Sequence, residues 1–273
     1  MTDRMVRGEY FRPENADKMP LVVLLHGVGD HSLLPCRLLA RTLVKKGFAC
    51  FVLYLPVHTS RMPQEMKKRF PVLTPDEWFK SYQGAVIEVS QVVDWAVERQ
   101  EIDAEKIALV GISYGGFISA IAMGVDKRIK LGVFIVAGGN GSKINHKSTL
   151  GSLSKNYKIA EEEYERVQDS YMKYLAEIAE KGFDNVEPAM KSFLIDPMTY
   201  AHRLKKRRVL MINARWDEVI PREATIDLWK EMGQPEISWY PTTHASIWLW
   251  YPFISRKIGR FLRAGFNNGG KTA

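Results

Sequence analysis

Six short apolar runs recur along the chain, and longer segments with helical periodicity separate them. The runs cover residues 21–27, 50–56, 107–113, 131–139, 209–214 and 237–241. They lack polar alternation, which is typical of strands buried on both faces of a parallel sheet. Strands that alternate with helices imply right-handed crossovers. The pattern therefore predicts an α/β fold with a mostly parallel central sheet flanked by helices.

The length of the chain is compatible with one large domain. We expect a single domain over residues 1–273, because α/β folds of this size often remain undivided. Residues 142–196 break the rhythm: they hold no strong strand, but a helical tract with an apolar stripe of Tyr164, Val167, Tyr171 and Leu175. This segment is too long for a plain connection. It predicts a small helical cap, inserted after the strand ending near Gly139 and lying over one edge of the sheet.

Composition narrows the classes of function. The chain has 39 Lys and Arg against 31 Asp and Glu, a net charge of +8, but its basic residues are scattered. We therefore expect neither a nucleic-acid partner nor a membrane partner. The first 18 residues lack the apolar core of a secretory signal, and no later run is long enough to span a membrane, so we expect a cytoplasmic protein. The two cysteines, Cys36 and Cys50, predict small core residues rather than a disulfide framework.

The stretch GISYGG, residues 111–116, lies between an apolar run and a helical segment. In a Gly-x-Ser-x-Gly sequence the serine occupies a sharp, strained turn between a strand and a helix. The glycines remove side chains that would collide with the neighbouring elements, so that the hydroxyl stands clear. The stretch predicts that Ser113 is a nucleophile rather than merely a small turn residue.

A serine hydroxyl needs a base, which is usually an imidazole oriented by a carboxylate. His146, His202 and His244 follow Ser113 in the chain. Of these, His244 comes directly after the last apolar run, whereas His146 begins the insertion and His202 lies in an amphipathic stretch before a strand. The order of elements therefore predicts His244 as the base.

The carboxylate should leave the strand between the serine and the histidine. Asp217 follows the run 209–214 directly, and a carboxylate at the carboxyl end of a strand can point into the same crevice as the nucleophile. The neighbouring Glu218 and the more distant Asp196 are the competing candidates. Asp217 is our predicted acid.

An oxyanion formed by serine attack needs hydrogen-bond donors. The backbone amide of Tyr114, the residue after the nucleophile, is one expected donor. The loop that leaves the first central strand is the expected source of the other, and Gly27 and Gly29 there let the main chain turn its amides inward. Val28 is our candidate in this loop, the alternative being a tight turn with no catalytic role.

The His-Gly pair at 26–27, the Gly-x-Ser-x-Gly motif at 111–115, Asp217 and His244, in this order, resemble the α/β-hydrolase superfamily. The resemblance covers residues 21–261 and implies an α/β-hydrolase fold with a Ser-His-Asp triad. The combination of Ser-Tyr-Gly-Gly at 113–116 with Asp-x-x-Ile-Pro at 217–221 also resembles the acetyl-esterase-like, dienelactone-hydrolase-like and prolyl-oligopeptidase-like branches.

The chain departs from each of three related branches. The prolyl-oligopeptidase-like peptidases carry an N-terminal propeller, which we do not expect in this chain. Dienelactone hydrolases use a cysteine where this chain has Ser113. The hormone-sensitive-lipase branch has a longer glycine run after the histidine at position 26, which Val28 and Asp30 interrupt here.

These features predict a serine carboxylesterase that hydrolyses short- to medium-chain esters through an acyl-enzyme on Ser113. The partner is a small-molecule ester, and the oligomeric state is left open. One alternative is a peptidase or amidase acting on small peptides or aminoacyl groups. A second is a catalytically silent binding protein with a hydrolase fold, although a lost triad member would mark such a protein and all three are present.

Residues close to the predicted site could line a substrate pocket. The candidates are His58, Arg61, Ile247 and Trp248. His26, Asp30 and His31 carry groups that can ligate a metal, but the sequence shows no metal-binding spacing. We therefore expect no metal and no cofactor.

Overall fold

The strands form one sheet. The computed structural model describes residues 5–14, 16–58, 60–69, 72–150 and 155–268. The strands in these ranges are β1 (Gly8–Phe11), β2 (Met19–Leu25), β3 (Ala49–Leu53), β4 (Ile102–Ile112), β5 (Ile129–Ile135), β6 (Arg208–Ala214) and β7 (Glu236–Tyr240). Their order in the sheet is β1-β3-β2-β4-β5-β6-β7. All neighbouring pairs are parallel except β1 with β3. The predicted mostly parallel sheet is confirmed, and each of the six apolar runs overlaps one of the strands β2 to β7.

Helices flank this sheet. They are α1 (Leu34–Val44), α2 (Gln64–Arg69), α3 (Pro75–Val97), α4 (Tyr114–Val125), α5 (Gly141–Lys147), α6 (Glu161–Lys181), α7 (Pro197–Ala201), α8 (Arg222–Glu231) and α9 (Tyr251–Asn268). Short 3₁₀ helices cover Phe183–Asn185, Lys191–Ile195, His202–Leu204 and Ser246–Trp250. Within the described residues, no helix combines the length and the apolar character needed to cross a membrane.

Both faces of the sheet are covered by apolar packing. From Leu21 to Leu25 every residue of β2 is fully buried, with alternate side chains entering two different core clusters. One cluster includes residues of α3, α4 and α6, and the other includes residues of α1 and α9. Burial on both faces is the physical reason that the strands read as continuous apolar runs.

Two strand features were not predicted from the sequence. The strand β1 lies at the antiparallel edge of the sheet, where its residues are half-buried or exposed and carry no apolar run. The strand β4 begins at Ile102, five residues before the predicted start at Ile107. The apolar run missed this part of the strand because residues 103–106 are mostly polar and partly exposed. Periodicity finds the buried part of a strand, not its solvent-facing extension.

The predicted insertion, residues 142–196, contains most of α5, all of α6 and two 3₁₀ helices, and residues 151–154 lie outside the described part of the chain. Helix α6 buries Tyr164, Tyr171, Tyr174 and Ile178, whereas Val167 and Leu175 of the predicted stripe are only partly buried. The Tyr171 hydroxyl forms a hydrogen bond of 3.1 Å with Thr199 Oγ1. The helical character agrees with the sequence pattern, while the division into domain and cap stays a prediction.

Candidate active site

Ser113 occupies the turn between β4 and α4. Its backbone has φ 53° and ψ −116°, in the left-handed half of conformational space that a residue with a Cβ seldom adopts. The Ser113 amide donates to the Ile135 carbonyl at 2.8 Å, and the Ser113 carbonyl accepts from the Gly116 amide at 2.8 Å. These bonds hold the strained turn between the sheet and the first turn of α4, so that the side chain is displayed at the carboxyl edge of the sheet.

The glycines at 111 and 115 allow close approach of main chain to main chain. A Cβ on Gly111 would overlap the carbonyl of Gly115, and a Cβ on Gly115 would overlap the carbonyl of Leu25 in β2. In both cases the obstacle is backbone, which cannot rotate away as a side chain can. The motif spacing is therefore required by packing as well as by the turn.

We expect Gly111→Ala to lower the free energy of unfolding by about 3 kcal/mol or to prevent folding, because the new methyl group collides with main chain. Urea denaturation measures this effect. The matched control is Gly27→Ala, whose added Cβ would have its nearest contacts at 3.6 Å, an ordinary van der Waals distance. A Gly111→Ala protein as stable as the control would contradict the packing argument.

Three predicted residues form a continuous hydrogen-bonded chain. His244 Nε2 lies 3.0 Å from Ser113 Oγ, and His244 Nδ1 lies 2.9 Å and 2.8 Å from the two carboxylate oxygens of Asp217. With the Nδ1 proton donated to Asp217, Nε2 is the acceptor for the Ser113 hydroxyl. The side chains of His244 and Asp217 are 17 % and 6 % exposed. This arrangement can remove a proton from Ser113 and stabilise the resulting imidazolium.

Asp217 is oriented by the loop that follows β6. Its Oδ1 accepts hydrogen bonds from the backbone amides of Val219 at 2.9 Å and Ile220 at 2.8 Å. The amides of Arg215 and Trp216 donate to carbonyls of Tyr240 and Thr242, which ties this loop to the loop carrying His244. The carboxylate therefore faces the imidazole in a fixed geometry.

Glu218, the neighbouring candidate acid, makes a different contact. Its Oε2 accepts from the backbone amide of His244 at 3.0 Å, and its carbonyl accepts from the amides of Thr149 and Leu150 at 3.0 Å. Glu218 thus anchors the histidine loop and joins it to the segment after α5. Sequence reasoning did not find this role, because adjacency to Asp217 was the sole signal.

Asp196, His146 and His202 lie outside this hydrogen-bonded chain. Asp196 caps α7 and accepts from the amides of Asn140 at 3.0 Å and Met198 at 2.9 Å, while burial raises its pKa. His146 bonds to Glu161 at 3.0 Å, and His202 is exposed. Among the described residues, no group of three or more His, Cys, Asp or Glu side chains is arranged to hold a metal ion.

The two predicted oxyanion donors lie in loops beside Ser113. Tyr114 is the first residue of α4, so its amide is among those that lack a partner within the helix. Val28 follows Gly27, where an added Cβ would lie 3.6 Å from Ser113 Cβ. The loop with Gly27 is therefore adjacent to the nucleophile, while the donor role of both amides stays a prediction.

His26 is fully buried next to this loop. Its Nδ1 donates to the Gly27 carbonyl at 2.8 Å, and its Nε2 accepts from the Leu55 amide at 3.1 Å. This bonding pattern requires a neutral imidazole, and burial lowers the pKa of His26 to about 4.

Because the pKa of His26 is depressed in the folded protein, we expect the free energy of unfolding to decrease as the pH is lowered. Above its unfolded pKa of about 6.5 both states are neutral, whereas between about 6.5 and 4 the unfolded chain binds a proton that the folded chain rejects. The folded state therefore loses about 3 kcal/mol over this window. Urea denaturation at several pH values should give a steeper decline for the wild type than for His26→Asn, and equal pH slopes would contradict this prediction.

The predicted pocket residues lie in different environments. His58 is 6 % exposed, and its ring packs against the ring of Tyr54 with the two centroids 4.9 Å apart. Arg61 is buried in an ion pair with Glu88, Ile247 is fully buried in the core, and Trp248 is half-buried. Contact of these four residues with substrate stays a prediction.

The fold is shared with known hydrolases. The acetyl xylan esterase from Paenibacillus sp. R4 is 20 % identical with a TM-score of 0.65, over 95 % of this chain and 79 % of that chain. Est1E from Butyrivibrio proteoclasticus is 15 % identical with a TM-score of 0.62, over 96 % of this chain and 95 % of that chain. The uncomplexed acylaminoacyl peptidase from Pyrococcus horikoshii is 18 % identical with a TM-score of 0.63, over 93 % of this chain but only 40 % of that chain. At these identities the likeness shows the fold alone, and the α/β-hydrolase fold is confirmed.

Sequence comparison identifies the family. None of the curated proteins matches the chain significantly. The family model described as alpha/beta hydrolase domain containing 18 matches residues 2–259. A hydrolase fold with esterases among its structural neighbours supports a hydrolase activity. Because the match extends over nearly the whole chain, this protein belongs to the alpha/beta hydrolase domain containing 18 family.

Proposed function

We propose that this protein is a serine carboxylesterase that hydrolyses short- to medium-chain carboxylic esters. The observation that carries the proposal is the unbroken hydrogen-bonded chain from Ser113 through His244 to Asp217, with its serine in a strained turn. A structural serine needs neither that turn nor a buried imidazole–carboxylate pair behind it. The substrate is a small-molecule ester, and the chemistry requires no metal or cofactor.

In the proposed acylation step, Ser113 Oγ forms a bond to the ester carbonyl carbon as its proton passes to His244 Nε2. The carbonyl π electrons become the oxyanion, which the amides of Val28 and Tyr114 bind, and Asp217 stabilises the imidazolium. Collapse of the tetrahedral intermediate breaks the bond to the alcohol oxygen, which takes the proton from His244. The product of this half-reaction is an ester of Ser113.

Deacylation follows the same route with water as the nucleophile. His244 Nε2 accepts a proton from water as the oxygen attacks the acyl carbon. The second tetrahedral intermediate then expels Ser113 Oγ, which recovers its proton from His244. The carboxylic acid leaves and the hydrogen-bonded chain is restored.

The acyl preference is argued from the name of a structural neighbour. One structural neighbour is an acetyl xylan esterase, whose name indicates removal of a short acyl group. The peptidase alternative rests on the acylaminoacyl peptidase, of which this chain covers 40 %. An ester needs less help for its leaving group than an amide, so ester hydrolysis is the less demanding reaction for the same triad.

A series of nitrophenyl esters, from acetyl through butyryl and octanoyl to palmitoyl, tests this proposal together with an acetylated aminoacyl anilide. We expect the highest kcat/KM among the short and medium acyl groups. Faster turnover of the anilide than of any ester would replace the proposal with the peptidase alternative. A folded protein that turns over neither class would favour the silent binding protein.

A further inference from the structure

The peptide bond between Gly27 and Val28 is held from one side by a buried side chain. His26 Nδ1 donates to the Gly27 carbonyl at 2.8 Å, and the His26 side chain is fully buried. In a trans peptide the carbonyl and the next N–H point in opposite directions. Fixing the Gly27 carbonyl against His26 therefore directs the Val28 N–H away from His26.

His26 is itself held by a second peptide bond, the one between Tyr54 and Leu55 after β3. The Leu55 amide donates to His26 Nε2 at 3.1 Å. The carbonyl of the same peptide, that of Tyr54, accepts from Arg61 at 2.5 Å. This peptide plane is therefore fixed on both sides, by the imidazole and by the guanidinium.

Arg61 is anchored in turn by a carboxylate on α3. Its two terminal nitrogens each donate to one oxygen of Glu88 at 2.7 Å, and the side chains are 4 % and 12 % exposed. A forked, buried pair of this kind fixes direction as well as distance. The Glu88 carboxylate also neutralises the positive charge of Arg61, so this guanidinium is poorly suited to binding a substrate anion.

We propose that His26 and Arg61 are positioning residues that aim the Val28 N–H at the oxyanion. The inference rests on the proposed function and deepens it. The chain of contacts runs from Glu88 through Arg61 to the Tyr54–Leu55 peptide, and from there through His26 to the Gly27–Val28 peptide. In this role each side chain acts through a backbone plane and needs no contact with substrate.

A matched pair of esters tests this role: an ordinary ester and its thionoester, in which sulfur replaces the carbonyl oxygen. Sulfur is a much weaker hydrogen-bond acceptor than oxygen, so a misaligned amide penalises the oxygen ester more. For His26→Phe, which lacks both hydrogen bonds, we expect kcat/KM for the oxygen ester to fall by about 10²-fold or more. The thionoester should fall by less than about tenfold, with KM for both little changed.

The conservative variant His26→Asn retains an N–H donor near the position of Nδ1 and should recover part of the lost activity on the oxygen ester. Arg61→Lys gives a second route should His26→Phe not fold, since it keeps the charge beside Glu88 but loses the fork. We expect it to lower the oxygen-ester rate selectively as well. The exposed His202, replaced by alanine, is the control and should leave both rates unchanged.

Equal losses on both esters would overturn the proposal, because they would indicate general disruption instead of a misaligned donor. Wild-type rates in His26→Phe or in Arg61→Lys would overturn it as well. Failure of the proposed function looks different: the wild type itself would then hydrolyse neither ester.

Discussion

Ser113→Ala should lower kcat for ester hydrolysis by about 10⁴- to 10⁶-fold, because the attacking oxygen is lost while the rest of the site remains. Alanine keeps the Cβ at the strained turn, and the backbone bonds to Ile135 and Gly116 do not involve the hydroxyl. The variant should therefore fold normally. Initial rates with the best nitrophenyl ester, together with circular dichroism and Tm, measure both parts of this prediction.

The matched control is Ser119→Ala on the same helix. Ser119 is fully buried and its hydroxyl donates to the Gly115 carbonyl at 2.8 Å, one turn back in α4. We expect this variant to retain ester hydrolysis within about tenfold of wild type. A Ser113→Ala protein that remained as active as Ser119→Ala would remove Ser113 from the mechanism.

Asp217→Asn should lower kcat by about 10⁴-fold with little loss of stability. The amide oxygen of asparagine can still accept from Val219 and Ile220, so the loop keeps its two backbone bonds. The amide nitrogen would face His244 Nδ1 and donate to it, which moves the imidazole proton to Nε2. In that tautomer the histidine has no lone pair to take the proton of Ser113.

Glu218→Gln is the control for this substitution. Its amide oxygen can still accept from the His244 backbone amide, which Glu218 Oε2 receives at 3.0 Å. We expect a loss of less than about tenfold. If instead Glu218→Gln were the more damaging change and Asp217→Asn were mild, Glu218 would be the acid.

The central strands were predictable because both of their faces are buried. In β2 every side chain from Leu21 to Leu25 is inaccessible to solvent, so an uninterrupted apolar run is the direct consequence. The edge strand β1 has no apolar run, because its residues are exposed or half-buried. It is a strand only through its pairing with β3, which the sequence does not show. Within α6 the buried face is wider than the predicted stripe: Val167 and Leu175 pack against the core, and Tyr174 and Ile178 are buried beside them.

The members of the candidate triad were predictable for a topological reason. Ser113, Asp217 and His244 each follow a parallel strand, and the carboxyl ends of parallel strands share one edge of the sheet. Their distances were not predictable, because Ser113 and His244 are 131 residues apart in the chain. Contact at 3.0 Å depends on how every intervening element packs.

The sequence pattern could not predict where the loop side chains point. Arg61 reads as a cation near a pocket, yet it pairs with Glu88 from a distant helix. Ile247 follows the histidine loop, but the 3₁₀ turn Ser246–Trp250 directs it into the core. His26 could be assigned to a motif, but one of its two hydrogen bonds comes from the Leu55 amide in the loop after β3, which the motif does not show.

Labelling with a fluorophosphonate, followed by peptide mapping in a mass spectrometer, tests the central claim most directly. The proposed mechanism predicts one adduct per chain on Ser113, with ester hydrolysis lost in proportion to labelling. His202→Ala should label like the wild type, and Ser113→Ala should not label. Adducts elsewhere, or full ester turnover by a completely labelled protein, would contradict a serine esterase mechanism at Ser113.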